Sequence, residues 1–272
     1  MSRTKKRLLL GVKSENVNRG SIAQPKRKKH RLEENLMGEF IELTASDGHK
    51  LGAYRAAPSG SAKGGVVVIQ EIFGVNSHIQ AVADGYANEG YVAIAPALFD
   101  RERPDIQLGY ESDDIETGRG IAFPMGFETP VLDIGAAVEA AREGGKVGTV
   151  GYCWGGSLSY LAACKLDIAC AVGYYGGQIT KMLDADPTAK PKVPTILHFG
   201  EHDAGIPLDM VDRVRAENPD VPIYMYDAGH GFNCDHRGSY DEASANVALE
   251  RTLAHFQAHC ANACKTLVHK TR

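Results

Sequence analysis

A cysteine, an aspartate and a histidine occur in this chain in settings that suit nucleophilic catalysis. Cys153 stands at the centre of Gly151-Tyr152-Cys153-Trp154-Gly155, between the apolar run Lys146 to Val150 and the helix-like stretch Ser157 to Ala163. That pattern is a nucleophile elbow, a strained strand-to-helix turn whose flanking glycines are needed because side chains there would strike neighbouring backbone. A thiol at a helix N-terminus meets the positive end of the helix dipole and unpaired N–H groups, both of which favour the nucleophilic thiolate. Free cysteine often serves only as a small buried apolar residue, so two partners farther along the chain carry the weight. Asp203 comes soon after the apolar Thr195 to Phe199, and His230 soon after Ile223 to Tyr226. Each of the three then lies just past a strand, where an open parallel sheet presents residues to ligands.

Nucleophile, acid and histidine come one after another in α/β-hydrolase order. In the general triad logic His230 takes the proton of the thiol while Asp203 fixes the tautomer and orientation of the ring. The thiolate adds to a carbonyl, and the charge that develops on oxygen needs preorganised N–H donors, each contributing about 3 kcal/mol. The elbow supplies one donor, the Trp154 N–H, and a second is expected from the turn after the strand ending at Gln70.

The elements that must position these groups alternate along the chain. Phe40 to Ala45 and Leu51 to Ala56, joined through Ser46-Asp47-Gly48, read as an antiparallel strand pair. Gly65 to Gln70 is continuously apolar, as a strand buried on both faces would be. Ile79, Val82, Ala83, Tyr86 and Ala87 mark one helix face, with Asn76 or Ser77 as its cap. Tyr91 to Ala95 returns as a strand stopped by Pro96. Residues 97 to 128 are broken by prolines and glycines and read as an irregular, lid-like insertion. Helices are expected over Pro130 to Gly144, Pro207 to Arg215 and Ser239 to His259, the last with Leu249, Leu253 and Phe256 inward. The result is an α/β class chain: a three-layer α/β/α arrangement with a mostly parallel sheet and an antiparallel N-terminal strand pair.

Composition narrows the function classes. With 30 Lys and Arg against 34 Asp and Glu, the net charge is −4, which argues against nucleic-acid binding and against a membrane-surface role. Residues 1–36 hold 11 basic residues against 3 acidic ones, leaving 19 minus 31, or −12, for the rest. This basic leader is expected to be disordered and to lie upstream of a start at Met37; targeting or a nucleic-acid tail is the other reading. Residues 37–260 form the expected catalytic domain and 261–272 a tail. Six cysteines without a secretory signal do not suggest a disulfide framework. Cys164 and Cys170 read as packing residues, and Cys260 and Cys264, with His255 and His259, as part of a fraying amphipathic tail. Cys234, Asp235 and His236 are metal-ligand residue types, but the expected reading is a loop at the site mouth. No C-x-x-C or H-E-x-x-H occurs, and no metal is expected.

Four segments in order, Gln70-Glu71-Ile72-Phe73-Gly74-Val75-Asn76, Gly151-Tyr152-Cys153-Trp154-Gly155-Gly156, Gly173-Tyr174-Tyr175-Gly176-Gly177 and Gly229-His230-Gly231-Phe232, resemble the dienelactone hydrolase family over about Met37 to His259. The resemblance implies an α/β-hydrolase fold, no cofactor, and hydrolysis of small cyclic or activated esters. The family's namesake reaction opens 4-carboxymethylenebut-2-en-4-olide to maleylacetate in the breakdown of chlorinated aromatics. It assigns the triad to Cys153, Asp203 and His230, and the second oxyanion donor to the Ile72 N–H. It also gives Glu71 a role beside the cysteine, which rests as a neutral thiol and loses its proton as substrate enters, limiting idle oxidation. A carboxylate substrate calls for cations, and Arg119 and Arg237 are the candidates. The family's arginine lies closer behind its histidine than Arg237 does here, with Asn233-Cys234-Asp235-His236 intervening.

The expected partner is a small lactone or ester, with no nucleic acid or membrane, in a cytoplasmic monomer or small homo-oligomer. A general carboxylesterase or thioesterase of the same fold is the nearest alternative. A cysteine redox sensor, or an interaction module with a dead site, would need neither Asp203 nor His230.

Overall fold

The computed structural model describes residues 38–262; the basic leader, Cys264 and most of the expected tail lie outside them. Eight strands form one sheet in the order β1-β2-β4-β3-β5-β6-β7-β8. β1 (Glu39–Thr44) and β2 (Lys50–Ala56) pair antiparallel, and β2 meets β4 (Tyr91–Pro96) antiparallel as well. From β4 onward, β3 (Gly64–Ile69), β5 (Val147–Tyr152), β6 (Cys170–Tyr174), β7 (Thr195–Gly200) and β8 (Ile223–Tyr226) run parallel.

Every residue of β3, β4, β5, β6 and β7 is buried, whereas β1 at the edge is mostly exposed. The reason is two-sided cover, as the continuous apolar runs require. α3 (Glu128–Ala141), α4 (Trp154–Lys165), α5 (Ile179–Ala185) and α6 (Leu208–Glu217) succeed one another across one face. α1 (Ser77–Asn88) and α7 (Glu242–His259) meet on the other, where the Tyr86 and Phe256 rings are 5.8 Å apart. Asn76 caps α1, its side chain accepting the Ile79 N–H.

Three sequence expectations change. Residues 112–125 are not an irregular insertion: Ser112–Met125 is a helix, α2, opened by a reciprocal capping box between Glu111 and Asp114. Pro124 sits in its last turn, where the helix is ending, and Gly118 is there for closeness, since a Cβ would stand 2.0 Å from the Ile72 carbonyl oxygen. Leu249 does not face inward; it is 39% exposed, because the buried stripe of α7 is Ala245, Ala248, Thr252 and Phe256. Cys260 does not fray but is fully buried, its sulfur 3.2 Å from that of Cys170. The short helix α5 had no signal in the periodicity. Among the described residues no single helix is long and apolar enough to cross a membrane.

The core includes one ionisable group with a measurable signature. His198 on β7 is fully buried, with Nδ1 2.8 Å from the Tyr226 hydroxyl. Burial, assisted by Arg251 and His255, pushes it down to about 3. The unfolded chain binds this proton below about pH 6.5 while the folded chain refuses it. Stability from this residue is therefore present above pH 6.5 and falls as pH drops toward 3, by about 1.4 kcal/mol per pH unit. Urea unfolding at stepped pH is expected to show this slope and to show it flattened in His198→Gln; an equal slope in both proteins would refute it.

Candidate active site

The strand order reverses between β3 and β5: the chain moves one way from β3 to β4, then returns to place β5 on the far side of β3. A crevice opens at such a switch point beyond the carboxyl ends of the strands. Glu71 and Ile72 come after β3 there, and Cys153 after β5.

Cys153 adopts φ 55° and ψ −116°, a conformation that L side chains rarely hold, and its N–H donates to the Tyr174 carbonyl at 3.0 Å. Such strain costs about 1–3 kcal/mol and persists only where neighbours over-determine it. Glycines do that here. A Cβ on Gly151 would lie 1.9 Å from the Gly155 carbonyl oxygen, and one on Gly155 would lie 2.4 Å from the carbonyl oxygens of Ile69 and Gln70. The turn thus ends with Cys153 as the N-cap of α4, its thiol at the positive end of that helix.

Cys153, His230 and Asp203 form one line of contacts. His230 Nε2 is 3.2 Å from the Cys153 sulfur, and its Nδ1 is 2.6 Å from Asp203 Oδ2. Asp203 is buried, and its other oxygen accepts the N–H groups of Gly205 and Ile206. Burial works against a charge on His230, but the Cys153 sulfur and the Asp203 carboxylate outweigh it and raise the imidazole to about 10. Ser239 donates to the His230 carbonyl at 2.7 Å, and the Tyr175 ring tilts against the imidazole with centroids 5.0 Å apart.

These groups open onto a cavity of about 580 Å³, which also receives Ile72, Trp154, Arg119 and Arg237. No acceptor among the described residues takes the backbone N–H of Ile72 or of Trp154. Trp154 serves both core and pocket, being 2% exposed while bordering the cavity. α2 supplies a wall: Ile115, Arg119 and Phe123 recur every four residues and share its cavity face. Arg119 forms no ion pair among the described residues, and Lys181 adds a further cation.

Arg237 reaches the site despite its distance from His230 in sequence. Cys234 N–H donates to the Gly231 carbonyl and Arg237 N–H to the Cys234 carbonyl, so the intervening residues coil into two turns. Its guanidinium lies 3.3 Å from Glu71 Oε1, while the Tyr110 hydroxyl donates to Glu71 Oε2 at 3.4 Å. Glu71 is fully buried. Its carboxylate is thus held by Arg237 and Tyr110, and the thiol by His230. Neither type nor spacing singles out Tyr110, Tyr175 or Ser239. Tyr175 lies inside one of the family motifs, and its φ of 38° is the feature that a sequence does not reveal.

The family model for the dienelactone hydrolase family matches residues 51–260. This chain belongs to the dienelactone hydrolase family. A carboxymethylenebutenolidase from Pseudomonas putida is 33% identical over 227 residues, covering 80% of this chain and 95% of that protein. A crystal structure of a candidate dienelactone hydrolase from Klebsiella pneumoniae superposes with a TM-score of 0.65 at 29% identity, over 80% of this chain and 98% of that one. A dienelactone hydrolase-like promiscuous phosphotriesterase from metagenomic libraries, at 19% identity and a TM-score of 0.66, covers 83% of this chain and 100% of its own and shares the fold. The protein is accordingly a dienelactone hydrolase-like member of the carboxylic ester hydrolases.

Proposed function

We propose that this dienelactone hydrolase-like protein opens small lactones such as 4-carboxymethylenebut-2-en-4-olide, with Cys153 as nucleophile. The observation that carries the reading is the unbroken contact line from Cys153 through His230 to Asp203 at a cavity bordered by cations. His230 holds the thiol's proton as the imidazolium that the Cys153 sulfur and Asp203 favour while sulfur adds to the lactone carbonyl, and Asp203 keeps the ring oriented. The N–H groups of Ile72 and Trp154 receive the charge on the former carbonyl oxygen. When the ring C–O bond breaks, His230 protonates the departing oxygen, which stays tethered to the acyl chain. Water then loses a proton to His230 and cleaves the thioester, releasing the acid and restoring the thiol.

Arg119 and Arg237 are the proposed partners of the substrate carboxylate. Glu71, paired with Arg237 in the resting site, is the proposed group that exchanges this partner when a carboxylate enters. The two arginines differ in cost of removal. Taking away Arg237 would strand a buried carboxylate, whereas Arg119 is exposed and has no such obligation. Arg119→Ala is therefore expected to raise KM for dienelactone by roughly tenfold, the size of one charge-assisted contact, and to leave p-nitrophenyl acetate unaffected. Equal effects on both substrates would remove Arg119 from carboxylate binding.

Rates on cis- and trans-dienelactone beside p-nitrophenyl acetate, in wild type and in Cys153→Ala, test the whole reading. Cys153-dependent dienelactone turnover supports it. Cys153-dependent ester cleavage alone would make the protein a general esterase, a reading favoured by the apolar wall of Ile115, Phe123, Ile206 and Met210. No Cys153-dependent activity on either would point to a redox role.

A further inference from the structure

Next to Glu71 lies a cluster that the hydrolytic chemistry does not use. His78, in the first turn of α1, and Cys234, between β8 and α7, are buried, with His78 4% and Cys234 0% exposed. Ligand-capable atoms of Glu71, His78 and Cys234 all lie within 4.8 Å of one another. His78 Nδ1 is 3.2 Å from Asp235 Oδ1, while its other nitrogen, Nε2, is cut off from solvent and has no hydrogen-bond partner. Buried polar atoms are nearly always satisfied, so an orphaned nitrogen on an imidazole that lies beside a thiol and a carboxylate calls for an explanation.

A second group shares the same histidine. His78, Asp235 and His236 also bring ligand atoms within 4.8 Å, with the Asp235 side chain 59% and that of His236 34% exposed. The outer group reaches solvent, and His78 is common to both groups.

We propose that Glu71, His78 and Cys234 bind a divalent cation of the zinc class, and that the bound ion inhibits hydrolysis by drawing Glu71 away from Arg237. Thiolate, imidazole and carboxylate together select zinc over magnesium or calcium, which take oxygen ligands. Three protein ligands leave the fourth position of a tetrahedral ion to water. Asp235 is the outer carboxylate that fixes the tautomer of a metal-binding histidine: with the Nδ1 proton given to Asp235, Nε2 offers its lone pair. Binding releases the thiol proton of Cys234, and any proton on Nε2, to solvent. The inhibition rests on the role proposed above for Glu71, but the binding does not, so the two fail separately.

Cobalt is the probe, used with the full chain carrying Cys153→Ala so that the active-site thiol contributes nothing. One Co²⁺ per chain is expected to give a thiolate-to-cobalt charge-transfer band, abolished when Zn²⁺ displaces it. Cys234→Ser is expected to remove the band, and the surface change Asp235→Asn to weaken affinity roughly 10- to 100-fold. Absence of the band, or its survival in Cys234→Ser, would overturn the site. Should Cys234→Ser not fold, unchanged affinity in Asp235→Asn would do the same. In the wild-type enzyme Zn²⁺ should inhibit with a midpoint matching the binding constant; saturated binding with undiminished turnover would overturn the inhibitory role.

Discussion

Cys153→Ala and His230→Ala are each expected to lower kcat/KM for a cleaved ester by roughly 10⁴-fold or more, the scale at which a nucleophile and its base fail together. The double variant should be no worse than either single one, because residues that act as a unit do not contribute additively. Both side chains lie at the cavity and not in the packed core, with His230 27% exposed in its side chain. Cys153→Ala should therefore unfold near the wild-type temperature, separating loss of chemistry from loss of fold, whereas His230→Ala leaves the Asp203 carboxylate, 1% exposed, without its imidazole partner and should unfold earlier. Asp203→Asn is expected to be nearly as damaging, since an amide in place of Oδ2 changes the hydrogen bond that sets the ring's tautomer. Retention of most activity in His230→Ala would mean that the 3.2 Å contact to sulfur is incidental, and the nucleophile would need another base.

Much of this arrangement could be read from residue order because strand ends are where the fold gathers chemistry. Cys153, Asp203 and His230 are far apart in the chain, but each comes after an apolar run, and parallel pairing from β3 to β8 brings those ends to one side. The glycines around Cys153 were legible for the same local reason, a turn too tight for side chains. The wall made by α2 was not. Its sequence carries glycines and a proline that oppose helix formation locally, and what outweighs them is packing of Gly118 against the Ile72 carbonyl, a contact between distant segments. Arg237 was ambiguous because its distance along the chain from His230 says nothing of how the intervening residues coil. Glu71 presents the same difficulty: burial of a carboxylate is expected to be rare, and the Arg237 and Tyr110 contacts that help make it tolerable here join distant segments.

The second large effect concerns stability and tests what holds the elbow in place. Gly155→Ala is expected to destabilise the fold by about 2–3 kcal/mol, the cost of forcing an extra carbon into a packed core, lowering Tm by roughly 4–12 °C in a domain of this size. The new Cβ would stand 2.4 Å from two carbonyl oxygens, of Ile69 and Gln70. Neither can rotate away as a side chain could, so β3 or α4 must shift. The obstruction sits at the end of β3, directly before Glu71 and Ile72, so activity should fall further than stability does, through displacement of the turn proposed to stabilise the oxyanion. Gly151→Ala should behave alike, its Cβ meeting the Gly155 carbonyl at 1.9 Å. The control is Gly85→Ala in α1, exposed and with nothing within 4 Å of an added Cβ. There alanine is expected to stabilise by about 0.4–1 kcal/mol, because it restricts the unfolded chain and suits the helix. If Gly155→Ala melted as late as Gly85→Ala, crowding could not be what fixes Cys153 at positive φ, and the strain of the elbow would need another source.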